Sequence, residues 1–79
     1  MAAPLLDVAI YGAGGLGRMV RDILAQAGTY RPVAFLDSDP AMHRRVIDGL
    51  PVCGDLSAWD ELARHGVGGA VVAIGDNTT

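Results

Sequence analysis

Val8-Ala9-Ile10-Tyr11-Gly12-Ala13-Gly14-Gly15-Leu16-Gly17 joins a short apolar run to an amphipathic one through a glycine-rich turn. Asp7 to Tyr11 reads as a buried strand. Beyond the turn, Met19, Val20, Ile23, Leu24 and Ala27 repeat at helical spacing, with Arg18, Arg21, Asp22 and Gln26 on the other side. The helix is expected from Leu16 to Ala27, stopped by Gly28. A strand that breaks at Gly-x-Gly-x-x-Gly into a helix is the phosphate-cradling turn of a βαβ unit. In that geometry Gly12 permits the tight turn, Gly14 lets a phosphate reach the backbone, and Gly17 lets helix and strand pack closely. Gly15 and Leu16 lie between them, at the helix end whose free N–H groups and positive dipole face an anion. The alternative is a tight βα turn that touches no ligand.

The rest of the chain repeats this alternation. Pro32 can open a second strand, Val33 to Leu36, which ends in the turn formers Asp37-Ser38-Asp39-Pro40. Residues 41–50 read as loop or a single helical turn, with a further turn at Asp48-Gly49 and a short extended piece at 51–53. Ser57-Ala58-Trp59-Asp60 resembles a capping box, with Asp in place of Glu, for a second helix carrying Trp59, Leu62 and Ala63 on one face. His65 suits its last turn and Gly66 its stop. Gly69 to Ile74 forms the last strand, ending at Gly75-Asp76-Asn77. The order β-α-β-short β-α-β predicts an α/β domain: a small Rossmann-like parallel sheet with helices on its faces, occupying residues 1–79. Ligands of such sheets bind beyond the carboxyl ends of the strands. There residues 12–17, 37–39 and 75–77 should converge.

Composition narrows the class. The chain has 79 residues, 51% of them hydrophobic and 19% charged, with a net charge of −3. A domain this small buries only roughly 60% of its unfolded surface, so its stability should be marginal. The acidic balance argues against a nucleic-acid partner, which needs a clustered basic face. The single cysteine, Cys53, can form no internal disulfide. No run approaches the ~20 apolar residues of a membrane span, and no signal segment opens the chain, so a cytoplasmic protein without a membrane partner is the expectation.

Candidate residues carry competing readings. Asp37 lies 20 residues beyond Gly17, where a carboxylate accepts from a ribose diol; it equally suits an Asx-turn before Pro40. Ser38 shares that ambiguity, and Gly75, Asp76 and Asn77 either meet a base or sugar or serve as turn chemistry. Arg18, in the first helical turn, is the better placed arginine for a phosphate; Arg44 and Arg45 read as a solvated pair. His43 reads as solvated surface, Cys53 as a small buried hydrophobe and Trp59 as core. No spacing suggests a catalytic nucleophile or a metal site.

Four segments in order resemble one family: Ile10 to Gly17, Phe35-Leu36-Asp37-Ser38-Asp39-Pro40, Asp48-Gly49-Leu50-Pro51-Val52-Cys53-Gly54, and Val72-Ala73-Ile74-Gly75-Asp76-Asn77. They resemble the N-terminal (PglD/NeuD-like) domain of bacterial sugar O- and N-acyltransferases of the left-handed β-helix class. The sialic-acid O-acetyltransferases and UDP-bacillosamine N-acetyltransferases are of this type. The resemblance implies an acceptor-binding domain for a UDP-linked amino sugar. Gly14, Gly15 and Leu16 would contact the nucleotide through backbone amides, Asp37 and Ser38 would lie near the uridine or ribose, and Gly75 at the opposite lip. It also implies a following β-helix domain that binds acetyl-CoA, carries the catalytic histidine and forms a trimer, so no catalytic residue and no cofactor is expected in this chain. Two positions depart from the family: Leu16 stands where His is usual, and Ser38 where a second Asp is common. A glycine turn followed by Asp37 also permits the first half of an NAD(P)-binding oxidoreductase domain, and a free-standing ligand-binding module is a third reading. Without a covering domain, an apolar edge or face should be exposed.

Overall fold

A computed structural model describes residues 5–73. Its elements run β1 (Leu6–Tyr11), α1 (Gly15–Ala27), β2 (Tyr30–Leu36), a 3₁₀ turn (Pro40–Met42), β3 (Val46–Ile47), β4 (Leu50–Pro51), a second 3₁₀ turn (Leu56–Ala58), α2 (Trp59–Arg64) and β5 (Gly69–Val72). The main sheet has the order β2-β1-β5, parallel throughout, with Ile10 opposite Phe35 on one side and Val71 on the other. Val52 adds a single parallel bridge to Phe35. β1 is therefore central, and its Val8, Ala9 and Ile10 are fully buried.

Side-chain alternation divides the core between the two faces. Ile10, Phe35, Val52, Ala13 and Ala73 cluster with Val20 and Leu24 of α1. Ala9, Leu36 and Val67 cluster with Trp59 and Leu62 of α2. The α/β architecture with helices on both faces of a parallel sheet is the predicted one.

Several boundaries differ from the sequence reading. β2 begins at Tyr30 rather than near Pro32. Pro32 lies inside it, and the β1–β2 register slips between Val8 and Ala9, where a proline has no N–H to offer the ladder. The stretch 41–50 is more than a loop: β3 and β4 form an antiparallel hairpin closed by Asp48 and Gly49 at φ 51° and 82°. Both turn residues at positive φ is the twist-matched geometry of a two-residue hairpin. The predicted 51–53 strand is split, Pro51 pairing within that hairpin and Val52 bridging to β2. The capping box at Ser57 does not form. Asp55 is the cap, its Oδ1 accepting from the Ser57 amide at 2.8 Å and hydroxyl at 2.6 Å, and a 3₁₀ turn leads into α2. β5 ends at Val72, with the Ala73 amide still donating to Tyr11 O at 2.7 Å.

Burial corrects two further readings. Cys53 is exposed at the sheet margin rather than buried. Along α1 only Val20 and Leu24 of the apolar stripe pack on the sheet; Met19 and Ile23 are 58% and 59% exposed. With Val72 also open on β5, the predicted exposure of apolar surface is present. Among the described residues no helix is long and apolar enough to cross a membrane.

Candidate functional site

The glycine turn sits at the carboxyl end of β1. Gly12 adopts φ 115°, a conformation side chains disfavour, and its amide donates to Leu36 O at 2.7 Å. Gly17 is required for a different reason. A Cβ there would lie 1.8 Å from the Gly12 carbonyl oxygen and 3.3 Å from the Phe35 ring, so only glycine lets α1 descend onto the strands. Gly14 and Gly15 have neither constraint. A Cβ on either meets nothing within 4 Å, and neither has a positive φ. The fold itself does not demand glycine at these two positions, and what their bareness leaves open is the approach to the backbone.

That backbone is unsatisfied. Gly14 caps α1 with no side-chain hydrogen bond, and no acidic residue occupies the first turn. The first backbone bond of the helix runs from the Arg18 amide to Gly14 O at 3.1 Å. Among the described residues none accepts from the amides of Gly14, Gly15, Leu16 or Gly17. Leu16, which is exposed, brings no polar group to this end. An uncapped helix N-terminus of this kind attracts an anion.

Asp37 joins the turn from the end of β2, where its carboxylate makes the Asx-turn and one further contact. Oδ1 accepts from the Asp39 amide at 2.8 Å, the Asx-turn; Oδ2 accepts from the Ala13 amide at 2.8 Å, tying β2 to the glycine turn. Each carboxylate oxygen retains a further acceptor direction. Ser38 is exposed beside it. The Asp37 amide donates to Gly54 O at 2.8 Å, which brings the 53–55 loop to the same edge. Gly75, Asp76 and Asn77 lie outside the described residues, although β5 leads toward this edge alongside Tyr11.

Two contacts escaped the sequence reading. His43 is not solvated surface: it is partly buried, and its Nε2 lies 2.7 Å from the Asp37 carbonyl oxygen. Its charged form would also help hold the Asp55 carboxyl below its ordinary range, an effect due first to the Ser57 hydroxyl. Arg18 is committed to Asp48, Nε to Oδ2 at 3.2 Å and Nη2 to Oδ1 at 3.3 Å, which raises the guanidinium pKa above its ordinary value. The only hints in the sequence were a histidine six residues after Asp37 and the Asp48-Gly49 turn, neither of which names a partner.

A separate open depression of about 340 Å³ lies between α2 and the sheet margin, lined by Arg44, Cys53, Glu61 and His65 among others. Burial of the thiol, then the charge of Glu61, pushes the Cys53 pKa up, although the residue as a whole is exposed. None of the lining residues belongs to the glycine turn or to 37–39. Among the described residues no group of three or more His, Cys, Asp or Glu side chains is placed to hold a metal.

Comparison with known proteins follows this geometry. The family model of the PglD N-terminal domain matches residues 7–79. No curated protein matches the chain. Among solved structures, UDP-D-quinovosamine 4-dehydrogenase from Vibrio fischeri superposes with a TM-score of 0.83 at 25% identity, over 95% of this chain and 62% of that one. A histidine-to-asparagine mutant of perosamine N-acetyltransferase from Caulobacter crescentus, in complex with CoA and GDP-perosamine, gives 0.76 at 34% identity, over 96% of this chain and 34% of that one. A histidine-to-alanine mutant of GDP-perosamine N-acetyltransferase from the same organism, with the same ligands, gives 0.76 at 35% identity, over 98% and 35%. The chain thus spans under two thirds of the first of these proteins and about a third of the other two.

Proposed function

The chain belongs to the PglD N-terminal domain family, and from that premise we propose that it is the nucleotide-sugar-binding domain of a sugar acetyltransferase. The observation that carries the reading is the pair Gly14 and Gly15: bare where packing does not require it, at a helix end whose amides have no partner among the described residues. The ligand is a nucleoside diphosphate linked to an amino sugar, with UDP the first choice. Its diphosphate sits on the amides of Gly14, Gly15 and Leu16, across the turn that Gly12 and Gly17 shape. Its ribose donates to Asp37, whose bonds to Ala13 and Asp39 hold the carboxylate in one orientation. Ser38, Gly75 and Asn77 are the remaining residues we assign to ligand contact.

In the whole enzyme, acetyl-CoA supplies the acyl group, and a histidine of a β-helix domain takes the proton from the attacking amine or hydroxyl. That domain and its trimer are partners of this one. Within this chain the task is binding and orientation, which lowers a barrier without any reacting side chain. Support comes from the two acetyltransferase structures, which hold CoA and GDP-perosamine.

A second reading has a specific observation behind it: the neighbour with the higher TM-score is named a dehydrogenase. Calorimetric titration with UDP, UDP-N-acetylglucosamine, GDP and NADH separates the two. Binding of a nucleoside diphosphate, lost in Gly14→Val and absent for NADH, is the expected result. Binding of NADH alone would replace the acetyltransferase reading with a dinucleotide one.

A further inference from the structure

We propose that Arg18 is a diphosphate-binding side chain held in reserve by Asp48. Ligand entry would exchange carboxylate for phosphate and release the β3–β4 hairpin from α1. The proposal rests on the nucleotide reading of the glycine turn given above.

Arg18 lies in the first turn of α1, the turn that also carries the open amides of Gly15 and Leu16. A cation there opposes the helix dipole and gains nothing from an acidic neighbour in the same turn, because there is none. Its partner is instead Asp48, 30 residues away at the hairpin tip. The guanidinium fork meets the two carboxylate oxygens at 3.2 and 3.3 Å, long for charge-assisted bonds, and the Arg18 side chain remains 58% exposed. The Asp7–Arg31 pair elsewhere on the surface closes to 2.7 Å. Arg21 reinforces the contact only weakly, Nη2 to Asp48 O at 3.4 Å, while its Nη1 is bound to Asp22 at 2.8 Å.

A diphosphate presents the same forked oxygens with more charge, and an arginine fork fits either. An exposed ion pair of this kind is worth little, so breaking it lowers ligand affinity by no more than about fivefold. The hairpin would stay docked through Ile47 and Leu50, which pack on the core, while its tip loses the tether. Asp48 thereby acts as an internal competitor that keeps the arginine oriented and the hairpin closed until an anion arrives.

The test titrates the full chain and its Asp48→Asn, Arg18→Gln and doubly substituted forms with UDP and GDP. Uridine and guanosine serve as controls lacking the diphosphate. Asparagine tolerates the positive φ of residue 48. The expected results are affinity for the diphosphate rising up to about fivefold in Asp48→Asn and falling about tenfold or more in Arg18→Gln. The double variant should match Arg18→Gln, and nucleoside affinities should not move. Amide exchange across 46–51 should quicken on saturation with nucleotide. If the wild type binds but Asp48→Asn gains nothing, or the hairpin amides slow, the exchange is wrong and the nucleotide reading stands. If the wild type binds neither nucleotide, both fall together.

Discussion

α2 follows a 3₁₀ turn capped by Asp55, whose carboxylate takes the Ser57 amide and hydroxyl, and it carries Asp60 and Glu61 in its first turn and Arg64 in its last. α1 starts behind a bare glycine, with Arg18 but no acid in its first turn and no basic residue in its last turn. The features of α2 favour a helix that must hold itself together in six residues. Those of α1 do the reverse, in a helix long enough to be anchored by Val20 and Leu24 against the sheet. Packing sustains a helix whose N-terminus is left unsatisfied, and that end is available to a ligand. Where local rules fail this consistently, function is the usual reason.

The contrast can be broken most severely inside α1 itself. Gly17→Ala puts a methyl against the Gly12 carbonyl, so helix and strand must separate. A loss of about 3 kcal/mol or more is expected, read as the denaturant midpoint. A small domain is not expected to remain folded after it.

Giving α1 an aspartate cap, like the one on the turn before α2, is the sharper experiment. Gly14 already holds the extended backbone of an N-cap, φ −82° and ψ −158°, so Gly14→Asp should fold and gain a few tenths of a kcal/mol up to about 1. The same carboxylate faces any phosphate, and nucleotide affinity should fall at least about tenfold by calorimetry. A variant that is more stable and still binds would show that the helix end is not the anion site.

Taking the cap from the 3₁₀ turn that leads into α2 should do the opposite. Asp55→Ala is expected to cost about 1 kcal/mol in thermal unfolding and leave nucleotide affinity where it was.

The smallest expected effect is one of pH. The Asp55 carboxyl is held below its ordinary value of 3.8, chiefly by the Ser57 hydroxyl and then by the Ser57 amide. A depressed folded value means a stabilisation present above 3.8 and lost as pH falls through the folded pKa. Acid titration of unfolding should therefore be flatter for Asp55→Asn than for the wild type below that pH. Asp7, lowered by Arg31, adds a like slope that both proteins share.

The glycine turn was legible because its demands are local. Gly12 and Gly17 are needed for backbone conformation and close approach, and the strand and helix around them show their periods. The hairpin at 46–51 was not, because strands of two residues have no period to detect. Met19 and Ile23 share an apolar repeat with Val20 and Leu24 yet lie exposed, since periodicity marks an apolar stripe but not how much of it the sheet covers. Cys53 was misplaced for a related reason: type suggests burial, yet position at the margin exposes it.

The chain of residues by itself determined the strand-turn-helix at its start, the alternation that builds the parallel sheet and the glycine positions that shape the turn. These depend on sterics and burial between near neighbours, which residue identity and spacing specify. Tertiary structure alone decided that Asp37 serves the Asx-turn and the Ala13 amide together, that His43 closes on Asp37, and that Arg18 is held by Asp48. Such contacts form between residues as much as 30 apart, and the path of the intervening chain determines which polar groups meet.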